Sequence, residues 1–168
     1  MLCGLGRVGW RVLDSVRTAG LPVVVVDLNT SPDDPRLHGG RAIQGDCRCA
    51  EVLEAAGVKE AGAVVIVTSD DLVNVSTALL VRQLNPTARV VVRMFNQNLL
   101  DRFGSAVKNT VALSVSGLTA PLMALTAVTG DALGAFKLDD GPRQVSELVI
   151  AEISTLAGQR IAELARAH

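Results

Sequence analysis

The sequence predicts an α/β fold built on a doubly wound parallel sheet. Three observations carry this. Short β-branched runs at residues 23–26 (VVVV), 63–67 (AVVIV), 90–92 (VVV) and 111–115 (VALSV) are continuous apolar stretches, as strands covered on both faces require. Amphipathic segments of helical spacing lie between them. The resulting order, strand then helix repeated, is the pattern of parallel strands joined by helical crossovers.

Each element has a local justification. Residues 1–3 form the first strand, which is short for the centre of such a sheet; we therefore expect the chain to start late, with strand residues missing. A helix over 8–19 follows from the spacing of Val8, Val12, Leu13 and Val16, and it stops at Gly20 ahead of Pro22. The segment SPDDPRLHGG holds two prolines and two glycines, which limits any helix there to one or two turns. A helix over 50–56 ends at Gly57, one over 72–84 ends at Asn85 and Pro86, and a short one spans 98–103. Residues 109–130 carry no charge and are long enough to cross a bilayer, but their polar Thr and Ser positions, with Gly117 and Pro121, favour a buried strand and a small-residue helix. Beyond about Gly130 the pattern changes. Residues 135–138, a turn at 139–142 and residues 144–153 read as a hairpin-like start of another unit, with a helix over 156–167.

Composition narrows the function. The 168 residues are 49% apolar and 20% charged, ample for a folded core in one domain with a short appendage. The net charge of −1 argues against a nucleic-acid surface, and 2% aromatics against base-stacking platforms. The absence of tyrosine excludes a Tyr-dependent reductase. Three cysteines make no disulfide framework and fit a reducing cytosol. Glycines at 4, 6 and 9 interrupt any secretory h-region. Cys47 and Cys49 with His38 lack zinc spacing, and the pairs Asp33-Asp34, Asp70-Asp71 and Asp139-Asp140 read as turns and caps. We expect no metal site and no catalytic residues.

The chemistry sits in Gly4-Leu5-Gly6-Arg7-Val8-Gly9, a GxGxxG directly after a strand and opening a helix. Gly4 permits the tight turn, Gly6 admits a pyrophosphate, and Gly9 allows close helix packing. The helix N-terminus and Arg7 add positive charge. The second strand ends in Asp27, at about the 20-residue distance at which such sites place a ribose acid. Leu28, Asn29 and Thr30 follow without an arginine, which disfavours a 2′-phosphate. Ligands of open α/β sheets lie at strand carboxyl ends. Those ends carry Gly45-Asp46 with Cys47, Thr68-Ser69-Asp70, and Arg93. Helix capping explains Ser69, Asp70 and Asp71 as well as ligand contact does, and a surface ion pair is the alternative for Arg93.

The runs GLGRVG, VVVVD, the Gly45-Asp46 step, VLEAAGVKEAGAVVIVTSDDLVNVSTALLVRQLNP and ARVVVRMFN resemble the N-terminal domain of RCK proteins (regulator of potassium conductance, or TrkA-N) over residues 2–128. SELVIAEISTLAGQRIAEL resembles the opening of the companion C-terminal subdomain, cut off before completion. The resemblance implies a Rossmann-like nucleotide-binding domain over 1–130, then a crossover, hairpin and incomplete C-terminal subdomain over 131–168. It implies a non-enzymatic cytosolic domain at the inner face of the membrane, binding NAD(H) or ATP/ADP to gate a potassium channel or transporter. Homodimers, and rings under a pore, are also implied. Gly4, Leu5, Gly6, Arg7 and Val8 fall on its phosphate loop, Asp27 and Leu28 at its ribose acid, Asp46 and Cys47 on its adenine side, Thr68 and Ser69 on its fourth-strand loop, and Arg93 on its fifth-strand basic position. Residues 119–128, with Ala120, Ala124 and Ala127, suit a dimer-forming helix; packing on its own sheet is the alternative. A small NAD-dependent oxidoreductase is the alternative function, without an evident substrate domain or acid/base.

Overall fold

The computed structural model describes residues 1–129, 134–138, 141–145 and 150–160. Its main sheet is six-stranded, in the order β3-β2-β1-β4-β5-β6, and every pairing in it is parallel. The strands are β1 (Leu2–Cys3), β2 (Val25–Asp27), β3 (Ala42–Gln44), β4 (Ala63–Ile66), β5 (Arg89–Arg93) and β6 (Thr110–Leu113). The helices are α1 (Arg7–Thr18), α2 (Ala50–Ala55), α3 (Asp71–Leu84), α4 (Gln97–Ala106) and α5 (Val115–Thr129). The doubly wound class is therefore the one expected.

Period-two alternation splits the core into two layers. Leu2 and Val25 face α1, where they pack with Leu13, Leu37 and Val67. Cys3 and Val26 face the other way, into a larger cluster with Leu53, Val64, Ile66, Val81, Val90 and Met94. Each such fully buried side chain contributes roughly 1.5–3 kcal/mol of hydrophobic stabilisation. Short as it is, β1 lies at the centre of the sheet. Leu2 and Cys3 each pair with β2 on one side and β4 on the other.

Several local expectations are corrected. Between β2 and β3 the expected limit of one or two turns holds: there is a single 3-10 turn, Pro35–Leu37, capped by Asp34. The sixth strand stops at Leu113, because Ser114 Oγ accepts the Gly117 N–H (3.1 Å) and starts α5. That strand is not buried. It is the sheet edge, and Val111 and Leu113 are exposed on one face. Helix α5 runs through both Gly117 and Pro121.

Contacts divide the chain into Met1–Gly117 and Leu118–His168. The second unit holds a hairpin, β7 (Gly134–Leu138) paired antiparallel with β8 (Gly141–Val145), so its second strand begins within the expected turn at 139–142 and not at residue 144. Asp139 and Asp140 lie outside the described residues. No helix begins at Leu156. Residues 151–158 form successive turns, with Ala157 N–H on Ser154 O and Gln159 N–H on Leu156 O. Residues 161–167 of that expected helix lie outside the described residues. Among the described residues no helix is long and apolar enough to cross a membrane.

The elbow between β1 and α1 tolerates no side chain at Gly9. A Cβ there would lie 2.0 Å from Gly4 O and 2.8 Å from Gly4 C, both backbone atoms. Gly9→Ala must therefore lift α1 off the turn. We expect a loss of about 1–3 kcal/mol or more in urea unfolding. Stability equal to that of the parent would contradict this packing.

Candidate functional site

The carboxyl ends of β1, β2, β3, β4 and β5 open on one crevice of about 820 Å³. It is lined by Gly4, Gly6, Arg7, Val8, Asp27, Leu28, Asp46, Cys47, Thr68, Ser69 and Arg93. Of the residues that the resemblance places on the nucleotide site, Leu5 alone does not line it. Its side chain is buried in the α1 layer, and its N–H points elsewhere.

That N–H donates to Asp27 Oδ2 at 2.7 Å. The other carboxylate oxygen, Oδ1, accepts from Asn29 N–H (3.0 Å) and Thr30 N–H (2.8 Å). Partial burial alone would raise the Asp27 pKa. The hydrogen bonds from Leu5, Asn29 and Thr30 outweigh it and hold the carboxyl below its ordinary value. Asp27 is thus ionised at neutral pH and ties the glycine elbow to the end of β2. A carboxylate has about four acceptor positions, so Oδ2 keeps one for a hydroxyl in the crevice.

Gly4 turns the chain at φ +97, in the left-handed region that favours glycine, and a Cβ there would lie 3.0 Å from Thr68 N. Gly6 is the N-cap of α1, in extended conformation, and offers no side chain to the helix. The first turn of α1 also contains no acid. Its free N–H groups are left for solvent or for a bound anion. A Cβ at Gly6 would meet nothing within 4 Å, so the space above this helix end is open.

The neighbouring helix is different. Asp70 Oδ1 accepts from Leu72 N–H (2.8 Å) and Val73 N–H (3.1 Å), closing the N-terminus of α3. Capping thus accounts for Asp70. Asp71 accepts the Phe95 and Asn96 N–H groups and fixes the loop after β5. Ser69 is exposed on the rim.

Thr68 is held by a residue that motif reading passed over as a site. Asn74 is fully buried, and its Oδ1 accepts from Thr68 N–H (3.1 Å) and Thr68 Oγ1 (2.6 Å). Its Nδ2 donates to Arg93 O at 3.0 Å. One amide therefore spaces the ends of β4 and β5. The only sequence signal was its place in the TSDDLVN stretch, residues 68–74, within the longest run that carries the family resemblance.

Arg93 makes no ion pair among the described residues. Its guanidinium lies 4.1 Å over the Phe95 ring, and its buried Nε has no acceptor among the described groups. Asp46 by contrast is engaged by Arg48, at 2.6 Å from Nη2 to Oδ2, an exposed pair worth little in stability. Cys47 forms part of the floor, 7% exposed. No group of three or more potential metal-ligating side chains occurs among the described residues.

The TrkA-N domain model matches residues 1–113. The chain belongs to the TrkA-N domain family. A Trk system potassium uptake protein TrkA homolog from Pyrococcus horikoshii is 28% identical over 96 residues, covering 56% of this chain and 42% of the relative. Potassium channel protein 1 of Methanocaldococcus jannaschii is 27% identical over 108 residues, covering 61% of this chain and 32% of the relative. The chain thus spans less than half the length of these relatives. Among solved structures, the GsuK channel bound to NAD matches with a TM-score of 0.66 at 20% identity, over 80% of this chain and 25% of that one. Another GsuK structure is bound to ADP. At such identity these structures establish likeness of fold.

Asp27 generates a pH prediction. A carboxyl with a depressed folded-state pKa stabilises the fold fully above the unfolded value of about 3.9, and that contribution is lost as pH falls through the lowered folded value. Asp27→Asn cannot accept at both oxygens and removes this contribution. We expect the denaturation midpoints of parent and variant to differ at pH 7 and to converge as pH falls below the usual aspartate range. A difference independent of pH would contradict the clamp.

Proposed function

We propose that this domain binds an adenine nucleotide, NAD(H) or ATP/ADP, as the sensing element of a potassium channel or transporter. The observation that carries this reading is the uncapped N-terminus of α1, open above Gly6 and sharing a crevice with Asp27. A diphosphate supplies the acceptors that the helix end lacks, and the dipole and Arg7 favour its negative charge. The remaining acceptor position on Asp27 suits a ribose hydroxyl. Thr68, Ser69, Asp46 and Cys47 bound the far side, and the guanidinium of Arg93 supplies a cation without a carboxylate partner among the described residues.

Membership of the TrkA-N family supports the potassium role, as do relatives named for potassium uptake and as a potassium channel. GsuK structures holding NAD and ADP support the ligand class. We read the domain as one that binds rather than catalyses: of the acids lining its crevice, Asp27 is clamped by backbone N–H groups, Asp46 is paired with Arg48 and Asp70 caps α3. A ligand there shifts a pore only by binding its two conformations unequally, typically with a coupling of about 1–3 kcal/mol. The partner is a membrane potassium channel or transporter subunit, which places the domain at the cytoplasmic face. Homodimerisation along α5 is supported by its exposed Leu118, Met123 and Val128.

Gly6→Ala tests the site without disturbing the fold. Apart from the residue itself and its chain neighbours, nothing lies within 4 Å of the added Cβ, so stability stays within about 1 kcal/mol of the parent. The methyl group occupies the space assigned to a phosphate. Calorimetry against NAD⁺, NADH, ATP and ADP is expected to show saturable binding by the parent, weakened roughly tenfold or more (about 1.4 kcal/mol) in the variant. Absence of heat with all four nucleotides, or unchanged affinity in Gly6→Ala, would overturn the reading.

A further inference from the structure

Asn74 fixes which way the Thr68 hydroxyl points. The amide is fully buried, and all of its hydrogen-bonding positions are used. Nδ2 donates to two carbonyl oxygens, Arg93 O at 3.0 Å and Thr68 O at 3.3 Å. Oδ1 accepts the Thr68 N–H at 3.1 Å. These three backbone partners allow the amide one orientation, since reversal would set its N–H groups against an N–H and its oxygen against two carbonyls. Thr68 Oγ1, at 2.6 Å from Oδ1, therefore donates its single proton to Asn74. The other acceptor near it, Asp70 O, is farther away at 3.3 Å. Toward any further group the Thr68 hydroxyl can only accept. The Asp70 N–H reaches one of its acceptor positions at 3.4 Å, and Thr68 lines the crevice.

Strand order decides what meets this acceptor. Along β2-β1-β4, Asp27 ends β2, the glycine elbow follows β1 and Thr68 follows β4. A ligand with its ribose at Asp27 and its phosphates at the N-terminus of α1 runs on toward Thr68. A third phosphate brings acceptor oxygens to that point, and two acceptors form no hydrogen bond. A second sugar brings hydroxyls, which donate. Charge points the same way. Arg7, Arg48 and Arg93 in the lining are matched by Asp27, Asp46 and Asp70, so these side chains hold no net charge to favour a third phosphate.

We propose that Thr68, with its proton held by Asn74, makes the crevice selective for a nucleoside diphosphate that carries a second sugar on its outer phosphate, over a nucleoside triphosphate. This selectivity rests on the nucleotide reading above and narrows it: NAD(H) carries such a sugar and ATP does not. Asn74 is a positioning residue. It acts through the polarity of the Thr68 hydroxyl, which would otherwise rotate and serve either ligand.

Calorimetry of the full chain with ADP, ADP-ribose, NAD⁺ and ATP tests this, because ADP is common to all four. ADP-ribose and NAD⁺ are expected to bind about three- to tenfold more tightly than ADP, as one added hydrogen bond gives, and ATP no more tightly than ADP. Thr68→Val removes the acceptor and is expected to bring ADP-ribose down to the affinity of ADP. Thr68→Ser keeps the hydroxyl and is expected to keep the preference. Asn74→Ala frees the proton and is expected to narrow the gap between ADP-ribose and ATP, whereas a merely structural loss lowers both alike. Should that variant fail to fold, the two Thr68 variants decide. The proposal is overturned if ATP binds more tightly than ADP-ribose, or if ADP-ribose keeps its advantage over ADP in Thr68→Val. Binding of ADP with no preference for the second sugar overturns it and leaves the nucleotide reading standing. Absence of binding by all four removes both.

Discussion

The site depends on the hydrogen bond from the Leu5 N–H to the Asp27 carboxylate. Gly4 turns the chain out of the sheet and Gly9 lets α1 lie against that turn, but neither sets where the elbow stands relative to β2. The carboxylate does. It binds the middle of the glycine loop with one oxygen and the start of the next loop with the other. The two loops that border the crevice are thereby held by a single ionised group. Such charge-assisted bonds are shorter and stronger than neutral ones. An acid commonly read as a ligand group is here also a fastener, and the two roles are compatible because one acceptor position remains.

The contrast between α1 and α3 distinguishes the two helix ends at the crevice. Both helices begin at its rim. Asp70 satisfies the first N–H groups of α3, whereas Gly6 leaves those of α1 without a side-chain acceptor. An unsatisfied helix end at the mouth of a crevice is where an anion gains most. Asn74 sets the opposite wall, since one buried amide bridges Thr68 and the backbone of Arg93. The thiol of Cys47 lies on the floor between these walls, with the Thr77 hydroxyl beneath it.

Much of this was legible in the chain. The continuous valine runs announced parallel strands, because only a sheet covered on both faces tolerates them. The glycine spacing announced the elbow, because each position has its own steric reason, seen most directly at Gly9 and Gly4 O. Other features were not legible. Hydrogen bonds made across the fold leave no local signature, so the Leu5 partner of Asp27 and the Arg93 partner of Asn74 could not be read. Nor could the stacking of Arg93 on Phe95. Apolar content at 111–115 read as burial, yet an edge strand exposes one face whatever its residues. Helical spacing beyond residue 156 did not yield a helix among the described residues, where isolated short helices are marginal without a packing partner.

The central claim is that the clamped elbow presents the N–H groups of Gly6, Arg7 and Val8 to a nucleotide diphosphate while Leu5 stays bound to Asp27. Amide-resolved NMR of the chain titrated with ADP tests it most directly. The account predicts large shifts at Gly6, Arg7 and Val8, with the Leu5 amide remaining hydrogen-bonded throughout. Shifts confined to other loops, or release of Leu5 as the ligand binds, would contradict it.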